Sequence, residues 1–243
     1  MTACAILLAG GAGTRLHQSE NKVYLPVADR PLVAWSLDAF ERSPLINEIV
    51  LVIREEDRGR IEEVLAGHPT SKVGTIVEGG ATRHASEHAG LEAVAPRIDT
   101  GEIDLVLIHD GARPFVRQRL LRRIVETARA VGGAVPGMEL DAPVLLRAGS
   151  DRDGEQAVLP TDDLRRVQTP QAFRASDLLR TYREAAKVGF AGVDTSESVE
   201  RFSDLDVEVV PGDPDNIKVT FVQDLFAVEE LAVRWPGEDD GRH

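Results

Sequence analysis

Only one cysteine, Cys4, occurs in the 243 residues. That excludes an internal disulfide framework and a thiolate zinc site, and its place inside an apolar run makes it a packing residue of a reducing compartment. No apolar run approaches the ~18 residues of a membrane span, and no basic–apolar–cleavage pattern opens the chain. A soluble, cytoplasmic protein is expected. Positive charge is scarce as well. The net charge of −13 opposes non-specific binding to nucleic acid or to acidic membranes. An anionic ligand therefore needs a locally positive site. Among 28 Lys+Arg only Lys22, Lys72, Lys187 and Lys218 are lysine, so a lysine marks a place where a compact ammonium was chosen over the guanidinium fork. The six histidines show no metal-ligand spacing, and neither a Ser/His/Asp triad nor an internal repeat is visible.

What is present is an α/β pattern with a glycine loop at its head. Residues 3–8 (ACAILL) read as a buried strand. Leu8-Ala9-Gly10-Gly11-Ala12-Gly13 follows, with Arg15 and Lys22 close behind. Glycines there permit positive φ and let backbone N–H groups approach a phosphate unobstructed. The spacing fails the dinucleotide fingerprint at its third glycine, and no Gly-Lys-Ser/Thr occurs, so neither standard cradle applies. Two fixed cations on a glycine loop suit a triphosphate attacked at its α-phosphorus, where charge grows in the transition state. A plain strand–turn with two solvated cations is the competing reading.

Beyond the loop, helical periodicity covers 31–40, 55–65, 82–94 and 118–131, alternating with strands at 48–53, 73–77, 104–109 and 132–137. The alternation stops near Met138. Residues 139–168 show short β-like runs about the turn 149–154, a pattern that predicts a β-hairpin arm suited to embracing a second subunit. Helices at 176–187 and 196–202, strands at 207–210 and 217–220, and a helix at 223–234 complete a single domain, 1–234, with a frayed acidic tail at 235–243. Ligands of such sheets lie beyond the carboxyl ends of strands. Those ends carry the first loop, Gly79-Gly80 and Asp110.

Asp110, before Gly111, is either a Mg²⁺ anchor beside a phosphate loop or a turn aspartate capping the next helix. His109 reads as structural. Arg113 either offers a guanidinium fork to a phosphate or pairs with Asp110. Arg83 and Ser86, in the first turn of a helix, either read a base or ribose or are solvated polar residues at an N-terminus. Thr169-Pro170-Gln171 is a rigid turn. The stretch Asp213 to Lys218 sets two carboxylates, an amide and an ammonium in one loop or short strand.

Together these residues resemble the GT-A-like, Rossmann-related nucleotidylyltransferases, whose mostly parallel sheet is flanked by helices. The motifs at 79–86 (GGATRHAS), 109–114 (HDGARP), 168–173 (QTPQAF) and 215–220 (DNIKVT) narrow the resemblance to the 2-C-methyl-D-erythritol 4-phosphate cytidylyltransferases of the non-mevalonate isoprenoid pathway. It covers roughly residues 3–231. The resemblance implies CTP, a polyol phosphate acceptor, Mg²⁺ and a homodimer. It implies Arg15, Lys22 and Lys218 as catalytic cations, and Leu8 to Gly13, Gly79, Gly80, Arg83, Ser86, Asp110 and Gly111 around the nucleotide, with Asp110 at the metal. Arg113, Thr169 and Asp215 would face the acceptor. This chain departs from the family pattern at Asn21, where proline is usual, and at Ala142 for an arm threonine. Thr161 falls near an arm arginine's place and Arg165 near a tryptophan's. Val193-Asp194-Thr195 stands for Thr-Asp-Asp/Glu. A branch acting on ribitol 5-phosphate, or a weakened CTP-binding protein, is the alternative.

Overall fold

The computed structural model describes residues 2–11, 21–68, 70–140, 144–147, 156–159, 162 and 164–235. Ala12, Gly13, Arg15, Ala142, Thr161 and residues 236–243 lie outside that set.

Strands β1 (Ala3–Leu8), β2 (Pro26–Val27), β3 (Arg30–Pro31), β4 (Glu48–Ile53), β5 (Val73–Glu78), β6 (Leu105–Asp110), β7 (Gly132–Glu139), β8 (Val144–Arg147), β9 (Gln156–Leu159), β10 (Arg165–Val167), β11 (Gln171–Arg174) and β12 (Asp206–Pro211) alternate with helices α1 (Leu32–Arg42), α2 (Arg58–Gly67), α3 (Arg83–Asp99), α4 (Gln118–Val131), α5 (Ala175–Lys187), α6 (Thr195–Phe202) and α7 (Val222–Arg234). The main sheet runs β10-β7-β11-β6-β1-β4-β5, with β12 on the other side of β7. β1 pairs in parallel with β4 and β6, and β4 with β5, whereas β11 runs antiparallel to β6 and β7. The architecture is α/β, mostly parallel and helix-flanked.

Period-two alternation splits each central strand between two cores. Ala5, Leu7, Ile49, Leu51 and Leu107 join α1 and α4 on one face; Ile6, Val50, Val52, Val106 and Ile108 join α3 and α5 on the other. Strands covered on both faces read as continuous apolar runs, which is why β1, β4 and β6 were plain in the sequence. Each fully buried Leu or Ile contributes roughly 1.5–3 kcal/mol. A third, smaller cluster of Val27, Leu32, Phe115, Val219 and Val228 seats α7. Trp235, expected in the tail, instead packs 4.6 Å from the Phe115 ring and 4.4 Å from the Arg117 guanidinium. No helix among the described residues is long and apolar enough to cross a membrane.

The expected arm contains an antiparallel hairpin, β8 with β9, in register Val144↔Leu159. Its return does not stay outside the domain: Arg165 to Val167 join the main sheet against β7. Two expectations change. Residues 217–220 form an extended connection without ladder pairing, held by Val219 N–H donating to the Ala112 carbonyl (2.9 Å). Asp110 is the last residue of β6 rather than the first of its turn.

Candidate active site

Backbone hydrogen bonds knit the carboxyl edge of the sheet together. Ala9 N–H donates to the Val52 carbonyl (2.7 Å), Gly79 N–H to Ile53 (2.7 Å) and Gly111 N–H to Leu8 (2.9 Å). Three loops therefore leave neighbouring strands at fixed spacing. None of Gly10, Gly11, Gly79, Gly80 or Gly111 has positive φ, so the conformational freedom expected of the first loop is not used at Gly10 or Gly11. Close packing requires glycine at two of the others. A Cβ on Gly79 would lie 2.7 Å from Ser86 Oγ, and one on Gly80 would overlap the Cβ of Ala85. Around Gly11 no described atom would come within 4 Å of a Cβ.

The neck of the first loop is closed by Asn21. Its buried amide donates to the Ala9 carbonyl (2.6 Å) and to Asp57 Oδ2 (2.8 Å), while its oxygen accepts from Val23 N–H. Burial would raise the Asp57 carboxyl; the bonds from Arg54 and Asn21 hold it below the ordinary range. Lys22 follows at the start of a short 3-10 turn, Lys22–Tyr24. The residue that departs from the family pattern thus sets the place of the loop lysine.

Asp110 is the electrostatic centre. Lys218 Nζ donates to its Oδ2 (2.6 Å) and Arg83 Nε to its Oδ1 (3.1 Å). Burial would push this carboxyl up, but Arg83 and Lys218 outweigh it and hold the group far below the usual carboxylate range. Arg83, at the first position of α3 behind the Thr82 cap, also pairs with Glu87 Oε1 at 2.6 Å. The alternating chain Lys218–Asp110–Arg83–Glu87 joins β6, α3 and the segment before α7. Ser86 is buried and donates to the Gly80 carbonyl (3.3 Å), bracing the glycine pair.

Beneath Asp110 lies a buried support. Asp110 N–H donates to Thr169 Oγ1 (3.0 Å), and Thr169 Oγ1 meets His109 Nδ1 at 3.1 Å. His109 Nε2 stands 3.1 Å from the Arg113 carbonyl, which can only accept. The ring proton is accordingly assigned to Nε2, and Nδ1 accepts from the threonine hydroxyl. Burial lowers the His109 pKa to about 4. Arg113 spends its guanidinium on the carbonyls of Asn216 (2.7 Å) and Val167 (3.5 Å), and burial lowers its pKa. Its Nε has no described partner. Asn216 donates to the Thr169 carbonyl (2.8 Å), while Arg117 takes Asp215 at 2.6 Å. Three residues expected to face an acceptor thus show different engagements. Thr169 points its hydroxyl into the support, Asp215 is in an ion pair, and Arg113 keeps one donor uncommitted.

Sequence reasoning missed Glu87 and Tyr182, and it noted the Asn216 amide without giving it a role. Glu87 had a signal: it shares the 87-91-94-98 line of α3 with Leu91, Val94 and Ile98, all buried. A carboxylate in an apolar stripe marks a buried polar network.

A mostly parallel, helix-flanked sheet whose carboxyl edge carries Asp110 between Arg83 and Lys218 belongs to a nucleotidyltransferase-like fold. Residues 3–234 match the family model of 2-C-methyl-D-erythritol 4-phosphate cytidylyltransferase. The chain belongs to that family of cytidylyltransferases. A Geobacillus kaustophilus protein of that name is 37% identical over 93% of this chain and 95% of its own. The crystal structure of 4-diphosphocytidyl-2C-methyl-D-erythritol synthase from Anaerococcus prevotii superposes with a TM-score of 0.82 at 30% identity, covering 96% of each chain. The Thermus thermophilus cytidylyltransferase gives 0.71 at 31% identity, over 94% of this chain and 98% of its own.

Proposed function

We propose that the protein transfers a cytidylyl group from CTP to 2-C-methyl-D-erythritol 4-phosphate, releasing pyrophosphate, as a cytoplasmic, divalent-cation-dependent homodimer of one catalytic domain with the 139–168 arm. The observation that carries this reading is Asp110 bridged by Lys218 and Arg83 at the carboxyl edge of the sheet, in a chain whose relatives bear that name. An acceptor phosphate oxygen attacks the α-phosphorus. The new P–O bond forms as the bond to the bridging oxygen breaks, and pyrophosphate leaves with the electron pair. The nucleophile is already anionic, so positioning and charge stabilisation carry the rate.

Arg15 and Lys22 stabilise the α-phosphate, with Lys218 approaching from the acceptor side. Leu8 to Gly13, Gly79, Gly80, Arg83, Ser86 and Gly111 hold the nucleotide; Arg113, Thr169 and Asp215 shape the acceptor side. The donor chemistry fits Mg²⁺, which takes one or two carboxylates plus phosphate oxygens. Asp110 would hold it, and when bound it would neutralise charge on the triphosphate. Each Asp110 oxygen accepts one bond from a cation, and a carboxylate has about four acceptor sites, so the group could hold a metal while keeping both contacts.

The second subunit is supported by an uncovered sheet face beside the arm. Val167, Val207 and Val209 are 39%, 37% and 53% exposed there, aligned across β10, β7 and β12. The deciding measurement is pyrophosphate release with CTP, Mg²⁺ and a panel of polyol phosphates. Turnover with methylerythritol phosphate is expected. Silence with it and activity on ribitol 5-phosphate would move the chain to that acceptor, and CTP binding without turnover on any acceptor would make it a binding protein.

A further inference from the structure

Glu87 is a carboxylate with 1% of its side chain exposed, in the apolar stripe of α3. Burying such a group is costly unless every oxygen is paired. Here both are. Oε1 takes Arg83 Nη1 at 2.6 Å and the Thr195 hydroxyl at 2.5 Å, and Oε2 takes the Tyr182 hydroxyl at 2.5 Å. Tyr182 comes from α5 and Thr195 opens α6, so three helices converge on one carboxylate. Among the described residues its cationic partner is Arg83.

The guanidinium is planar, with donors in a fixed fork. Nε is fixed by Asp110 and Nη1 by Glu87. The third nitrogen, Nη2, is buried and has no partner among the described residues. Two anchored positions of a rigid plane determine the third. We propose that Glu87 is a positioning residue for nucleotide recognition: supported by Thr195 and Tyr182, it fixes the plane of Arg83 so that Nη2 is offered to an acceptor oxygen of the CTP base or ribose. This rests on Arg83 lying at the nucleotide. Glu87 has a second effect through the same contact. It shares the charge of Arg83, so that Asp110 is not the sole counter-ion of that guanidinium.

The test separates positioning from general support. In Glu87→Gln the side chain keeps its shape and loses its charge. KM for CTP should rise about ten-fold, as expected for losing a charge-assisted contact, with kcat within about three-fold and the acceptor KM unchanged. Tyr182→Phe removes the hydroxyl from Oε2 and should give a smaller rise in the same constant. Thr195 Oγ1 stands 3.3 Å from Arg83 Nη1, so Glu87→Gln/Thr195→Asp returns a carboxylate to the guanidinium from α6 and should recover most of the CTP affinity. Calorimetric CTP binding to the same variants and to Arg83→Ala locates any failure. If Arg83→Ala binds CTP as the parent does, the placement of Arg83 at the nucleotide is wrong. If Arg83→Ala weakens CTP and Glu87→Gln does not, the positioning role is wrong. Equal rises in both KM values with a lowered melting temperature, unrelieved by Thr195→Asp, would reduce Glu87 to a structural residue and overturn the proposal.

Discussion

Lys218 Nζ and Asp110 Oδ2 lie 2.6 Å apart, in a contact that joins the segment before α7 to the end of β6. Each group is placed by the other, and each keeps further donor or acceptor capacity for a proposed task. Lys218→Ala should lower kcat on the order of 10²–10³-fold with little change in CTP affinity, the signature of losing a transition-state donor. Asp110→Asn should shift the Mg²⁺ titration to higher concentration. An unchanged kcat in the first variant, or superimposable titrations in the second, would contradict these roles.

Asn21→Ala removes three buried hydrogen bonds, those donated to Ala9 and Asp57 and the one accepted from Val23 N–H. A loss of about 1–3 kcal/mol is expected for leaving such partners unsatisfied, read as a melting temperature lowered by roughly 2–4 °C per kcal/mol. Asn21→Pro should lose the same bonds. Melting curves identical to the parent's would show that the amide is dispensable.

Dimer formation is expected to depend on both the hairpin and the uncovered sheet face. Replacing residues 141–161 with a short Gly/Ser linker leaves Glu139 and Arg165 paired in the main sheet. Light scattering should then report monomers. Val209→Glu, which leaves the hairpin intact, should weaken association as well. A variant without the hairpin that stays dimeric would place the interface elsewhere.

His109 makes stability depend on pH. Its folded pKa of about 4 lies below the 6.5 of an unperturbed imidazole, so the unfolded chain binds the extra proton as pH falls through that window. Its contribution is complete above about pH 6.5 and is lost progressively towards pH 4. At 1.36 kcal/mol per unit the span amounts to about 3 kcal/mol. Urea midpoints at pH 7 and pH 5 should therefore converge more in His109→Gln than in the parent. Equal pH slopes for the two proteins would refute the assignment.

The buried strands were legible because two-sided burial writes itself as unbroken apolar runs, and Asp110, Arg83 and Ser86 fell where strand ends and a helix start bring them together. β11 was not legible. Four residues after a proline carry no period, and only pairing with β6 and β7 makes them a strand. The run 217–220 reads as a strand by composition, yet its long-range backbone bond among the described residues is the one from Val219 to Ala112. Thr169 and Asp215 were expected to face outward towards a ligand. Their contacts to His109 and Arg117 come from residues 60 and 98 positions away, a separation that local pattern does not encode. Glu87 was readable from its helical line, although an (i, i+4) partner to Arg83 has the spacing of an ordinary surface pair.

The hydrogen bond from Asn21 to Ala9 also bears on how this chain can vary. Because the two ends of segment 10–20 are tied at their base, the position of Lys22 is separated from the length of what lies between. Substitutions that keep this bond should leave the lysine in place, so that Lys22 answers to the edge of the sheet rather than to the residues that separate it from Gly10.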